Sequence, residues 1–296
     1  MRNAMKMIQS VVLGLACVYI FFASFALFRH RKKIREEKGS YLLYGLISVL
    51  AMFFGTFGVS DTAISVFGYR AAGIVKDDVL PGTIITAAVL PVCAMALSYT
   101  SLFPVEAGLL VGCVVFETAG AVIGSALVSR LSGRKISMVI GIAMLATAAM
   151  IIVKLLMNGM EGGTLYELAG WKRYLAFISF FFLGALNMAG IGATVPAIAL
   201  LMVLGMDLRS IYPVVMTGNA VSSTFGGLAF LKTEKYNGKA VLASVFGTVA
   251  VVFAVRLVRN INVTVLQIAM VGLMIYSAVS VFKKQEGEKK KTSGMP

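Results

Sequence analysis

Phe57-Gly58-Val59-Ser60-Asp61-Thr62 and Ile191-Gly192-Ala193-Thr194-Val195-Pro196 each lie within an apolar segment too long to be one straight membrane span. At 1.5 Å per residue, segment 41–69 would measure about 43 Å and segment 174–204 would be longer still, against a hydrocarbon core of about 30 Å. Glycine interrupts both: Gly55 and Gly58 in the first, Gly190 and Gly192 in the second. Inside a helix, glycine costs roughly 1 kcal/mol relative to alanine. It also lets the backbone leave helical geometry where another group must come close. Both segments therefore read as broken helices.

The surrounding sequence repeats in the same order. Pro81 is matched by Pro213, and Ile140-Gly141 by Val271-Gly272, at a nearly constant offset. Each half runs through a broken helix, a short acidic loop (Asp77 and Asp78; Asp207), a proline-started helix, a polar turn, a glycine-containing helix, a basic turn and a final helix. The other apolar segments are 8–28, 79–100, 104–129, 136–157, 211–231, 240–259 and 261–282. The expected fold class is an all-α polytopic membrane protein of two homologous four-segment repeats, inverted relative to each other, plus one extra N-terminal span. Its expected divisions are an N-terminal span and basic cytosolic loop (1–40), a first repeat (41–157), an inter-repeat loop (158–173), a second repeat (174–282) and a Lys-rich, disordered cytosolic tail (283–296). Paired halves with glycine-interrupted segments at matching places point to a transporter site between them.

Composition agrees. Of 296 residues, 59% are hydrophobic and 14% charged, and the mean hydropathy is +0.90. A soluble domain carries about a quarter charged residues, so this chain lacks the polar skin a globule of its size needs. Soluble enzymes, nucleic-acid binders and secreted disulfide scaffolds are excluded as the main body. The net charge of +14 sits in short clusters between apolar runs, which is the distribution of a topology signal. Cys17, Cys93 and Cys113 lie singly in apolar runs and read as small hydrophobes. The one histidine, His30, lies in a basic loop, so no histidine-based metal or nucleophile site is expected.

If each broken segment crosses once, nine crossings result and 17 of the 27 Lys and Arg are cytosolic. If each dips in and returns, seven crossings result, 19 of the 27 are cytosolic, and the halves become antiparallel. The second arrangement fits the positive-inside rule slightly better and has the inverted symmetry that alternating access uses. Both place the C-terminus in the cytosol.

The second half, Gly184-Ala185-Leu186-Asn187-Met188-Ala189-Gly190-Ile191-Gly192-Ala193-Thr194-Val195-Pro196, then Gly205 and Thr217-Gly218-Asn219, resembles the TauE/SafE family of sulfite and organosulfur-anion exporters. Members of that family look like two homologous halves, each opening with a G-x-G-G-G-x-x-x-x-P motif. The resemblance covers residues 41 to 282. In the first half, Phe57-Gly58-Val59-Ser60-Asp61-Thr62 stands where the glycine run would be and the proline is missing; the second half keeps two glycines of the run. The resemblance implies export of sulfite, a sulfonate or a related organosulfur or carboxylic anion across a bacterial-type plasma membrane. Transport is expected to be driven by a proton gradient or by the membrane potential.

A helix that starts inside the membrane aims unpaired N–H groups and a partial positive charge at the break, which suits a small oxyanion. The expected substrate-binding set is Gly58, Ser60, Thr62, Thr83, Thr86, Asn187, Gly190, Gly192, Thr194, Thr217, Asn219 and Ser222. For each hydroxyl, helix–helix packing is the structural alternative. For Asn187 and Asn219 the functional reading is stronger, because an amide in hydrocarbon needs a partner. Asp61 and Glu117 stand in apolar sequence, where a carboxylate costs several kcal/mol and marks function. An ionised Asp61 would repel an anion, so proton coupling is expected of it; an N-cap role is its alternative. Glu117 is either a second coupling group or a neutral acid hydrogen-bonded between helices. A cation or metal carrier using Asp61 and Glu117 is the competing function, and an intramembrane enzyme built on Ser60 and Asp61 a remote one. No cofactor, metal or nucleic-acid partner is expected. The expected partners are a small anion and the lipid bilayer, and a homo-oligomer is compatible with the sequence.

Overall fold

The computed structural model describes residues 2–128, 130, 149, 164–190 and 192–257. Segments 136–157 and 261–282, the tail 283–296 and Ile191 thus lie outside the described residues, apart from Ala149. The described part is helical: α1 (Arg2–Arg29), α2 (Arg31–Glu36), α3 (Tyr41–Thr56), α4 (Asp61–Ala71), α5 (Leu80–Leu102), α6 (Ala107–Val128), α7 (Trp171–Met188), α8 (Thr194–Val203), α9 (Leu208–Lys232) and α10 (Gly238–Leu257). Five of these, α1, α5, α6, α9 and α10, are long and apolar enough to cross a membrane.

Polarity is distributed inside out. Phe25, Phe28, Leu42, Leu127, Phe182 and Phe253 are among the large apolar side chains that face outward, whereas Thr56, Thr83, Glu117, Ser222 and Thr224 are buried. A water-soluble chain has the opposite pattern, and a helix that presents aliphatic and aromatic residues outward is suited to lipid.

Both glycine-interrupted segments fold back on themselves. In the first, α4 returns along α3. Tyr69 lies against Tyr44 with ring centroids 5.8 Å apart, and a Cβ on Gly68 would meet Ile47 at 3.0 Å. In the second, Lys172 at the start of α7 donates to the Leu204 carbonyl just beyond α8 at 3.0 Å. The open ends of the two hairpins lie at opposite ends of the molecule. The Tyr44 hydroxyl donates to the carbonyls of Lys38 and Ile74 at one end. At the other, Arg173 pairs with Glu106 at 2.7 Å and Ser210 donates to Pro104 O.

Each hairpin packs against a helix from the other part of the chain. The chief partner of α3 is α10, that of α7 is α6, and α5 and α9 pack together between them. Glycine allows the close crossings: a Cβ on Gly120 or Gly184 would overlap the facing backbone, and one on Gly247 would overlap Ser48. Carboxylates cap two of the helices. Glu37 accepts from Gly238 N and Lys239 N at 2.9 Å each, at the start of α10, and Glu106 accepts from Gly108 N at 2.7 Å, at the start of α6. Lys239, itself buried, donates back to the Glu37 and Gly39 carbonyls.

The proline-started reading of the second half needs correction. Pro81 is in the first turn of α5, but Pro213 lies inside α9. Asp207 caps α9 upstream by accepting from Arg209 N at 2.8 Å, so the helix begins at its cap and runs through the proline.

Candidate functional site

The turns of the two hairpins meet. Gly58 has φ +77° and Gly192 has φ +76°, a left-handed conformation that favours glycine. Space at both positions is also short. A Cβ on Gly192 would lie 3.0 Å from Thr62 Cβ and 3.1 Å from Ser60 Oγ; one on Gly58 would lie 2.9 Å from the Tyr212 hydroxyl. Gly190, with φ +78°, completes the second turn.

Two helices start at this meeting point, α4 and α8. Ser60 is the N-cap of α4, its Oγ accepting from Ala63 N at 3.2 Å. The cap alternative raised for Asp61 thus falls to its neighbour, and Asp61 stands at the first helical position beside the cavity. The N-cap position of α8 is Ala193, which supplies no side-chain acceptor. The first turn of α8 borders a small space through Thr194.

That space is a cavity of about 20 Å³, enough for a water-sized body. Its polar lining is Asp61, Thr62, Asn187, Thr194, Asn219 and Ser223; its apolar lining includes Ile85, Val92, Met95 and Met216. Three of the polar groups form a chain. Asn187 Nδ2 donates to Asn219 Oδ1 at 3.5 Å, and Asn219 Nδ2 donates to Thr194 Oγ1 at 2.9 Å. The two asparagines are thus partnered, as amides in an apolar interior must be.

The remaining expected residues take other places. Ser60, Gly58, Gly190 and Gly192 form the turns that border the cavity. Thr83 and Thr86 lie outside it: Thr83 Oγ1 donates to Val79 O and accepts from Asn237 N, and Thr86 Oγ1 donates to Gly82 O at 2.6 Å. Back-bonding to the preceding turn is the ordinary use of a threonine in an apolar helix. Thr217 is buried without a hydrogen-bond partner among the described residues. Ser222 donates to Glu117 Oε1 at 3.0 Å, and the other carboxyl oxygen lies against Gly218. Glu117 thus belongs to the α6–α9 contact, one face of α9 away from Asn219. Of the two acids, only Asp61 lines the cavity.

Two tyrosines complete the site from outside the expected set. Tyr99 donates to Thr56 O, and Tyr212 to Phe57 O at 3.1 Å. Their rings stack with centroids 5.0 Å apart. They satisfy carbonyls left open where α3 ends, and so hold the first turn against α5 and α9. A tyrosine in an apolar helix is the only sequence sign of this role, since its hydroxyl must find an acceptor when buried.

No protein-family model, curated protein or solved structure matches this chain.

Proposed function

We propose that the protein is a secondary transporter that carries a small anion across the plasma membrane. The substrate class is sulfite, a sulfonate, or a related organosulfur or carboxylic anion, and the proposed direction is export. One observation carries this reading: two helix starts, α4 and α8, border one small polar cavity in the interior. Each helix start contributes a partial positive charge of roughly half a unit, and Asn187, Asn219 and Thr194 add oriented dipoles. Together these can replace the hydration of an oxyanion without a fixed cation.

Asp61 sets the coupling. An ionised carboxylate in the same cavity opposes an anion, so Asp61 is protonated while substrate is bound, and export is driven by the membrane potential or a proton gradient. The cavity is smaller than an oxyanion of several heavy atoms, so the form described here is closed around the site, and loading requires the hairpin turns to separate. The two hairpins are taken as the cores of inverted repeats that dip in and return. The exchange of packing partners supports this, with α3 on α10 matched by α7 on α6. Orientation follows from charge. The end bearing the Arg29–Lys38 loop, Lys76, Lys232 and Lys235 is the cytosolic one.

The test is uptake of labelled sulfite, sulfonates and carboxylates into proteoliposomes, with and without a pH gradient. Flux of at least one of these anions, increased by the gradient, is expected. The absence of flux for every small anion, at either gradient polarity, would overturn the reading.

A further inference from the structure

We infer that the groove between α1 and α9, beside the Arg29–Lys38 loop, binds one anionic phospholipid. This inference needs only that the chain is embedded in a membrane, and stands apart from what the central cavity carries.

The groove is a wedge. α1 rests on the rest of the protein at Tyr19, whose hydroxyl donates to Thr86 O at 2.6 Å and whose ring would meet a Cβ on Gly227 at 3.2 Å. Beyond that contact the helices leave a space of about 560 Å³ between them. Its body is apolar, formed by Phe22, Phe25 and Ala26 of α1 and Leu228 and Leu231 of α9. Its mouth is polar, with Arg29, His30, Lys232 and Glu234. Phe22 and Phe25 are 50% and 62% exposed, so the groove opens on the apolar outer face.

The charges at the mouth are unequally matched. Glu234 is engaged by His30 at 3.7 Å and by Lys33 at 3.4 Å. Among the described residues, Arg29 and Lys232 have no carboxylate within ion-pair distance. Two unmatched cations directly above an aromatic and aliphatic trough fit a molecule with a phosphate at one end and hydrocarbon at the other. A free phosphate would leave the trough unused, and a zwitterionic lipid would bring its own cation to a mouth that already has two in excess. Basic pockets between membrane helices are suited to anionic headgroups, at about 1 kcal/mol per Lys or Arg, or roughly fivefold each.

The experiment is native mass spectrometry of the full-length protein released from detergent with equimolar phosphatidylglycerol and phosphatidylcholine of identical chains. The wild type should retain one phosphatidylglycerol with a preference of about thirtyfold. Arg29→Gln with Lys232→Gln should abolish the preference, and Arg29→Lys with Lys232→Arg should keep it. Equal retention of the two lipids by the wild type, or an undiminished preference in the glutamine pair, overturns the inference. Thermal unfolding in the same detergent checks that the pair is folded. If it is not, the single variants decide, each expected to lose about fivefold, and no loss in either overturns the inference.

Discussion

The side-chain amide of Asn219 donates to the hydroxyl of Thr194 at 2.9 Å, joining the middle of α9 to the first turn of α8 inside the cavity. Asn219→Leu removes this donor and also the acceptor for Asn187. A buried polar group left without its partner costs about 1–3 kcal/mol, so anion uptake should fall about tenfold or more while the protein remains folded. Thr194→Val and Asn219→Leu share one contact, so their combined cost in thermal unfolding should be less than the sum of the two. Full additivity would mean that the contact contributes nothing.

Gly218→Ala tests the neighbouring face of α9. A methyl group there takes the place of a Glu117 carboxyl oxygen and forces the side chain away from Ser222. A cost of about 1–3 kcal/mol is expected, as for other overpacked interiors. In a Glu117→Ala background the same substitution should be nearly free. An equal cost in both backgrounds would falsify the contact as its cause.

Asp61→Asn keeps the shape of the side chain and removes its proton chemistry. Exchange of labelled for unlabelled substrate, which requires no net proton movement, should survive. Accumulation driven by a pH gradient should be lost. Loss of both would make Asp61 a recognition group, and retention of both would remove it from coupling.

The returning first hairpin places Lys76 at the end that carries the Arg29–Lys38 loop, and α6, which starts at the opposite end beside Arg173, brings Arg130 back to it. In a cysteine-free background, Lys76→Cys and Arg130→Cys should react with an impermeant maleimide from the same side as Lys33→Cys. Labelling of either from the opposite side would mean that the first broken segment crosses the membrane.

The glycines at 58 and 192 announced both interruptions, because nothing else in an apolar run explains a costly residue at matching places. The cavity's Asn187 and Asn219 were equally visible as amides set in hydrocarbon. What the chain could not display was direction. A break at Gly58 is the same in sequence whether α4 continues or returns, and contacts across the hairpin, such as that of Tyr69 with Tyr44, distinguish the two. Thr83 and Thr86, whose hydroxyls serve Val79 O and Gly82 O, pose a related ambiguity. A threonine can turn its hydroxyl to a ligand or to the preceding helical turn, and composition is blind to the choice. The carbonyls that Tyr99 and Tyr212 serve, those of Thr56 and Phe57, lie far off in sequence, so spacing does not display the pairing.

The exchange of packing partners has a consequence for movement. Because α3 is seated on α10 and α7 on α6, neither mechanical unit coincides with a continuous stretch of chain. The hairpin α3–α4 is seated on α10, with Glu37 just ahead of it on the amides of Gly238 and Lys239. The hairpin α7–α8 is seated on α6, with Arg173 paired to Glu106. The paired α5 and α9 lie between them. In the proposed transport cycle, opening the cavity means moving two interleaved units, each assembled from both halves of the polypeptide.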